Sequence, residues 1–306
     1  MWFKNLLIYR LPPWDLSASQ LEERLHTREL QPCAPFDMQS RGWVAPCGTG
    51  RLLHTLARQH LLALGVDQKL LPGSIIRQET LRRAAAQAVE QGFPVGRRQL
   101  RDLRLRVTEE LRARALTRRR TTRAWLDPVG GWCVVDAAGP ARAEELIETL
   151  RDTLGSFAVQ PVATQRSPRQ SMAAWLTQGS APGRLGLDQD LELAAVDGSR
   201  SSIRYTRHPL DPREVRAHLA QGKHPVRLGL TWGDRISFVL TERLQIKRVQ
   251  FLGLGADEEA GAGERGADAG QEQFDADFSL MTGELARLLA EVVAALGGES
   301  PAQAAA

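Results

Sequence analysis

The sequence has few of the residues and patterns that mark secreted, membrane or metal-binding proteins. Its three cysteines, Cys33, Cys47 and Cys133, are too far apart for a disulfide framework or a CxxC zinc site, so we expect buried, reduced thiols. No stretch approaches the roughly 20 apolar residues of a membrane-spanning helix. The N-terminal MWFKNLLIYR lacks the long apolar run and cleavage site of a signal peptide. We therefore expect a cytoplasmic protein without membrane contact.

Sequence motifs of known enzyme classes are also missing. The six histidines form no HExxH, no serine lies in a GxSxG, and Gly48-Thr49-Gly50-Arg51 lacks the GK[ST] of a phosphate-binding loop. These absences indicate no catalytic residue, no cofactor and no metal site.

One acidic group could nevertheless serve catalysis. Asp275 and Asp277 in FDADF, with Glu284, could hold a divalent metal for phosphoryl chemistry. Acids before and in the first turn of a helix also satisfy free backbone N–H groups and interact favourably with the helix dipole. We favour this second explanation and keep a metal-dependent nuclease as the alternative function.

Charge is unevenly distributed along the chain, although the formal net charge is only +4. Fourteen arginines and five acids lie between Arg77 and Arg123, a net charge of +9, whereas the 54 residues from Gly253 carry two arginines and eleven acids. The basic cluster is densest at Arg112, Arg114, Arg118, Arg119, Arg120 and Arg123. Such a field attracts a polyanion, so nucleic acid is the first partner to consider. The alternative is general surface solvation, since 36 of the 40 basic residues are arginine.

A second basic set lies later in the chain, opposed only by Asp211 and Glu214. Its members are Arg200, Arg204, Arg207, Arg213, Arg216, Lys223 and Arg227. Their spacing allows several to face one way as a track for phosphates, although solvated helix and strand faces would look similar. Neither basic set contains a zinc finger, an RRM aromatic signature or a helix-turn-helix, so sequence-specific base contacts are not expected.

Apolar periodicity predicts an α+β fold with mixed sheets. We expect a central α+β domain from residues 1–76 and 115–165, a helical hairpin over 77–114, and a second α+β domain over 166–306 that ends in an amphipathic helix. Predicted strands cover 2–11, 42–44, 60–71 with a break at 67–69, 121–127, 132–136, 157–162, 191–195, 201–206, 225–232, 235–240 and 244–252. Predicted helices follow Ser19 and Pro72, cover 100–116, 141–154, 172–177 and 211–221, and close the chain over 278–296. Residues 256–273 lack apolar periodicity and are expected to be a loop.

The apolar stripe of the predicted hairpin is narrow, with about one apolar residue per turn between arginines. So thin a stripe buries little surface by itself. We therefore expect the hairpin to project from the body of the protein and to pack on another surface, such as a second copy of the chain.

Four motifs resemble the recombination-associated protein RdgC family: MWFKNLLIYRL at 1–11, GWVAP at 42–46, WLD at 125–127, and FDADFSLMTGELARLL at 274–289 with the closing ALGGE. The similarity covers almost the whole chain. The resemblance implies a nucleoid-associated factor that binds double-stranded DNA with little sequence preference and modulates recombination by RecA, without covalent chemistry. It also implies a homodimer closed into a ring through the hairpin and the second domain, with the duplex in a basic central hole.

Charge and resemblance together give a set of candidate DNA-contacting residues. They are Arg97, Arg98, Arg112, Arg114, Leu116, Arg118, Arg119, Arg120, Arg204, Arg207, His208, Lys223 and Arg227. Members of the family tend to have an aromatic residue in the triplet that is Arg114-Ala115-Leu116 here, which predicts a weaker contact at Leu116.

The effect on recombination would follow from occupancy, because an encircled duplex is less available to a RecA filament. Two other functions stay open at this point. One is the nuclease built on FDADF, and the other is an adaptor that binds RecA directly and DNA only incidentally.

Overall fold

A computed structural model describes residues 2–13, 15–196, 201–253 and 267–300. The α+β class is confirmed, but in the described chain the helices pack on one large antiparallel sheet rather than on the predicted mixed sheets. The strands are β1 Asn5–Arg10, β2 Gln39–Val44, β3 Leu53–Leu56, β4 Gln59–Lys69, β5 Thr117–Asp127, β6 Trp132–Asp136, β7 Gln160–Pro161, β8 Leu185–Ala195, β9 Ser202–Tyr205, β10 Lys223–Trp232, β11 Ile236–Thr241 and β12 Ile246–Phe251. The helices are α1 Ala18–His26, α2 Gly73–Gln91, α3 Arg97–Arg114, α4 Pro140–Leu154, α5 Pro168–Gln178, α6 Pro212–Ala220 and α7 Ala267–Ala295.

The sheet runs continuously through both halves of the chain, in the order β2-β4-β5-β6-β1-β12-β11-β10-β8-β9. Strands β3 and β7 add to β4 and β1. The N-terminal strand β1 joins the halves, because Leu6 lies opposite Asp136 of β6 on one side and Ile246 of β12 on the other. The centre of the sheet therefore joins strands that lie far apart in the sequence.

Alternation along β1 separates two hydrophobic cores on opposite faces of the sheet. Leu6 and Ile8 pack with residues of α5 and α7, whereas Leu7 packs with residues of α1 and α4. Burial of each such leucine contributes about 1.5–3 kcal/mol relative to an exposed position. These two cores fix the directions in which polar residues of the same strands must point.

The two faces are covered differently in the second half of the sheet. Leu191 and Leu193 of β8 face the core that includes α5 and α7. Glu192, between them, points to the opposite side, the one that α1 and α4 cover in the first half. Among the described residues, that second core contains none after Val159. Within the described ranges, a polar sheet face is therefore left open over β8–β12, as antiparallel sheets allow.

Helices α2 and α3 form a pair with a small interior of their own. Leu103 and Val107 are buried, as is Thr80 of α2, and Arg83 Nη1 lies 2.7 Å from Glu110 Oε2 across the pair. Within the described parts of the chain, neither hydrophobic core contains a residue of α2 or α3. Leu103 and Val107 of the predicted stripe thus pack between the two helices, whereas Ile75, Leu81 and Val89 of α2 are exposed.

Several predicted boundaries in the first half are wrong. Helix α1 is capped by Ser17, not Ser19, because the Ser17 side chain accepts a hydrogen bond from the Gln20 N–H in a capping box. Strand β4 continues through residues 67–69, where pairing with β5 outweighs the polar composition. Strand β5 starts at Thr117, four residues before the predicted start, so that Arg118, Arg119 and Arg120 are strand residues and Leu116 lies outside α3.

Other differences concern short or polar segments. Strand β3 was not predicted, and the strand expected over 157–162 is limited to Gln160–Pro161. Residues 267–273 belong to helix α7 rather than a loop, since their Ala, Gln and Glu favour helix without an apolar stripe. The rest of the predicted loop and the turn at Asp197-Gly198 lie outside the described residues.

The cysteines are all free, but only Cys133 is buried, and Cys33 and Cys47 are half-exposed, contrary to the expectation. Over the ranges that the structure describes, no helix is long and apolar enough to cross a membrane.

Candidate nucleic-acid interface

One face of helix α3 is a stripe of arginines. Arg97, Arg101, Arg104 and Arg112 follow spacings of four, three and eight residues, which place them on one side of a 3.6-residue helix. The acids of α3, Asp102, Glu109 and Glu110, fall on other sides by the same periodicity. At 1.5 Å per residue the stripe extends about 22 Å. It is a surface of net positive charge on a rigid element.

Many arginines of this region have no acidic partner. Seven exposed arginines of α3 and the start of β5 make no ion pair with any described residue. They are Arg97, Arg98, Arg101, Arg104, Arg106, Arg114 and Arg118. An arginine without a carboxylate partner keeps its full charge available, and phosphate is an anion that fits its planar fork of donors.

The arginines at the junction of α3 and β5 differ from one another. Arg119 donates two hydrogen bonds of 2.8 Å to the carboxylate of Asp67, directly opposite on β4. Arg120 Nη2 donates to Glu145 Oε2 at 2.6 Å, and Arg112 Nη1 donates to the backbone carbonyl of Phe36 at 3.1 Å. The Arg119 guanidinium holds the pKa of Asp67 below its usual value. Of the three consecutive arginines, Arg118 is thus the one that remains free of carboxylates within the described chain.

Leu116 is the apolar candidate at this junction. Its side chain is 78% exposed, and its carbonyl accepts a hydrogen bond from the Leu70 N–H at 2.8 Å. It is available for contact with a partner.

A second basic surface lies on the open face of the sheet. A cavity of about 220 Å³ there is lined by residues of β1 and of β8 to β12, together with Ala138. Its charged lining residues are Arg204, Arg227, Lys247, Arg248, Asp190 and Glu192. Arg248 pairs with Asp190 at 3.1 Å and Arg227 with Glu192 at 3.5 Å. We call this surface the open-face groove.

Two basic residues of the groove carry its excess charge. Arg204 is exposed and has no ion pair among the described residues. Lys247 Nζ donates to the Ala138 carbonyl at 3.1 Å. Burial and the nearby charge of Arg227 lower the pKa of Lys247. A phosphate placed between these residues would relieve that repulsion.

The remaining candidates of the second basic set lie nearby but not together. Arg207 lines an adjoining cavity of about 520 Å³ that also includes Arg248, and its N–H donates to Asp190 Oδ1 at 3.0 Å. His208 Nδ1 lies 2.9 Å from the Pro209 carbonyl, and Lys223 Nζ donates to Gln221 at 3.4 Å. Neither residue lines the two cavities described here. Arg200 lies outside the described residues.

Five basic residues of these surfaces were missed in the sequence, namely Arg101, Arg104, Arg106, Lys247 and Arg248. Arg101 and Arg104 carried a usable signal, because their spacing from Arg97 is helical. No sequence signal indicated Lys247 and Arg248, because they lie in the groove only through the pairing of β12 with β1 and β11.

The carboxylates of FDADF lie within α7 rather than at its first turn, so the helix-start explanation is wrong. Asp275 Oδ1 lies 3.5 Å from His54 Nε2, and Asp277 Oδ1 accepts a hydrogen bond from Gln273. Glu284 is buried and pairs with Arg235 at 3.0 Å and with Arg287 at 3.3 Å. In the part of the chain that the structure describes, no three His, Cys, Asp or Glu residues are grouped to hold a metal.

Comparison with known proteins gives matches along nearly the whole chain. Residues 1–299 match the family model described as "Putative exonuclease, RdgC". The recombination-associated protein RdgC of Dechloromonas aromatica (strain RCB) is 50% identical over 303 residues, covering 98% of each chain. The protein of that name from Janthinobacterium sp. (strain Marseille) is 46% identical over 98% of this chain and 99% of its own. The protein of that name from Cupriavidus necator is 42% identical over 99% of this chain and 100% of its own.

Proposed function

The chain belongs to the RdgC family of recombination-associated proteins, as its motifs predicted, and from this premise we propose that it binds double-stranded DNA without sequence preference. The observation that carries the proposal is the set of arginines on α3 and at the start of β5 that have no ion pair with any described residue. Guanidinium groups on a rigid helix suit phosphates, which lie along every duplex whatever its sequence. The open-face groove is a second surface of the same chemistry.

The binding unit in this proposal is a homodimer closed into a ring around the duplex. The helix pair α2–α3 supplies one dimer contact, because Ile75, Leu81 and Val89 on the outer side of α2 are exposed. The second domain, residues 166–306, supplies the other contact, and residues 1–76 with 115–165 form the body between them. Two different isologous contacts in a two-fold dimer close a ring.

The role in recombination follows from competition for the duplex. A duplex inside the ring is withheld from a RecA filament, and the two proteins compete by mass action in the cytoplasm, at the nucleoid. Inhibition of strand exchange by this route disappears when duplex DNA is in large excess.

The test is fluorescence anisotropy with two 30-bp duplexes of unrelated sequence over a range of salt concentrations. We expect equal affinity for both duplexes and a steep linear fall of log K with log salt concentration. A strong preference for one duplex, or no salt dependence, contradicts the proposal.

The same preparation distinguishes the other two functions. Incubation with supercoiled plasmid and linear duplex in magnesium should leave both intact, whereas nicking or shortening would support a nuclease. Inhibition of RecA that persists with DNA in large excess would support an adaptor that binds RecA directly.

A further inference from the structure

Phe36 is 76% exposed although burial of a phenylalanine side chain normally stabilises a fold. It occupies the third position of a four-residue turn, Ala34–Asp37, in which the Asp37 N–H donates to the Ala34 carbonyl at 3.1 Å. Pro35 at the second position restricts the turn further. The phenyl ring is therefore displayed on a short, constrained loop.

Two cationic side chains hold the backbone of this turn. The buried Lys69 donates from Nζ to the carbonyls of Ala34 at 2.6 Å and Pro35 at 2.8 Å. Arg112 donates to the carbonyl of Phe36. Three consecutive carbonyls are thus tied to the body of the protein, and the side chain of Phe36 is left outside. Two cations therefore position an exposed aromatic ring.

The surroundings of Phe36 are basic and partly apolar. Arg112 contacts the turn directly, and from it the chain continues through the exposed Arg114 and Leu116 to Arg118 in β5. Leu70 is exposed and hydrogen-bonded to the backbone of Leu116. An exposed aromatic ring near arginines that have no acidic partner among the described residues is the combination that binds single-stranded nucleic acid, where bases stack on the ring and phosphates contact the cations.

We propose that Phe36 stacks on an unpaired nucleobase, so that the protein prefers DNA containing a gap or a single-strand junction over fully paired duplex. The inference rests on the proposed DNA binding. Unpaired bases are the occupant because stacked bases inside a duplex expose no face to the ring. A second copy docked through this same patch would bring its arginines against those of the first, which charge repulsion opposes.

The test compares a paired 30-bp duplex with the same duplex carrying a gap beside one unpaired 2-aminopurine. The proteins are the wild type, Phe36→Ala, Phe36→Trp and the control Phe93→Ala. Phe93 is also exposed but lies in the α2–α3 turn, where no cation holds it among the described contacts. Dissociation constants and 2-aminopurine fluorescence are measured at one salt concentration, and sedimentation gives the oligomeric state.

We expect the wild type to bind the gapped DNA about 5-fold or more tighter than the paired duplex and to quench 2-aminopurine. Phe36→Ala should remove both effects and keep paired-duplex affinity, whereas Phe36→Trp and Phe93→Ala should retain them. Equal ratios in wild type and Phe36→Ala overturn the inference. If Phe36→Ala dissociates an oligomer while the ratio of gapped-DNA to paired-duplex affinity stays unchanged, the inference is also overturned. The phenyl ring of Phe36 then contacts a second copy of the chain. Failure of the wild type to bind paired duplex overturns instead the proposed function.

Discussion

Arg119 and Asp67 lie directly opposite each other on neighbouring strands and are joined by two hydrogen bonds of 2.8 Å. This pair, together with Arg120 and Glu145, separates the three consecutive arginines into two that have acidic partners and one, Arg118, that has none in the described chain. The number of arginines in this segment therefore overestimates the positive charge that is available to bind DNA. The regular stripe on α3 is the stronger candidate.

Removal of the α3 stripe should weaken DNA binding and reduce its salt dependence. The triple variant Arg97→Gln, Arg101→Gln and Arg104→Gln loses up to three phosphate contacts, each worth about 0.9 in the slope of log K against log salt. Anisotropy titrations at several salt concentrations measure the slope.

A matched triple removes three arginines that each have a carboxylate partner. Arg28, Arg41 and Arg169 pair with Asp152, Glu148 and Glu242. Their replacement by Gln changes the formal charge equally but should leave the slope nearly unchanged. Equal effects of the two triples would mean that net charge, not the α3 face, governs binding.

The open-face groove should contribute independently of α3. Arg204→Gln with Lys247→Gln removes the two groove cations that have no acidic partner in the described chain and should lower duplex affinity several-fold. Arg243→Gln, an exposed change in the β11–β12 turn, is the single-charge control. Unchanged affinity in the folded double variant would exclude the groove from the DNA interface.

The Asp67–Arg119 pair should make stability depend on pH below about pH 4. Arg119 lowers the pKa of Asp67 in the folded chain, so the stabilisation is present above the unfolded pKa and is lost as pH falls through the lower folded value. Asp67→Asn should therefore be less stable than wild type at pH 7, and the difference should shrink in acid. Urea unfolding at pH 7, 5 and 3.5 measures it, and a constant difference at all three values would contradict the assignment.

Gly42 should not tolerate a side chain. A Cβ at this position would lie 2.5 Å from the backbone N and Cα of Leu30. The Leu30 N–H donates a hydrogen bond to the carbonyl of Trp43 in β2, which fixes this close approach. We expect Gly42→Ala to destabilise the fold by about 1–3 kcal/mol, as overpacking does. Gly48 is the control, because a Cβ there would meet no atom within 4 Å, and its replacement by Ala should change stability by less than about 0.5 kcal/mol. Equal stability of both variants in urea unfolding would contradict the close packing of Leu30 on β2.

Much of the order of elements could be predicted from the sequence because apolar alternation is local. The meander of β10, β11 and β12 and the C-terminal helix followed directly from their periods of two and 3.6. The start of β5 did not, because Arg118, Arg119 and Arg120 carry no alternation, and their strand conformation depends on pairing with β4.

The candidate site was only partly predictable for the same reason. The α3 stripe follows from helical spacing, and Arg101 and Arg104 could have been found by it. The groove requires β1 to lie between β6 and β12, which brings residues from both ends of the chain together. No local pattern indicates that pairing.

Retention on DNA with blocked ends tests encirclement most directly. A labelled linear duplex is attached at both ends to bulky streptavidin blocks after the protein has bound, and the complex is challenged with high salt. A closed ring should remain on the blocked duplex and slide off the same duplex when one end is freed by a restriction enzyme. Equal loss from blocked and free DNA would contradict a ring and indicate an open binding surface.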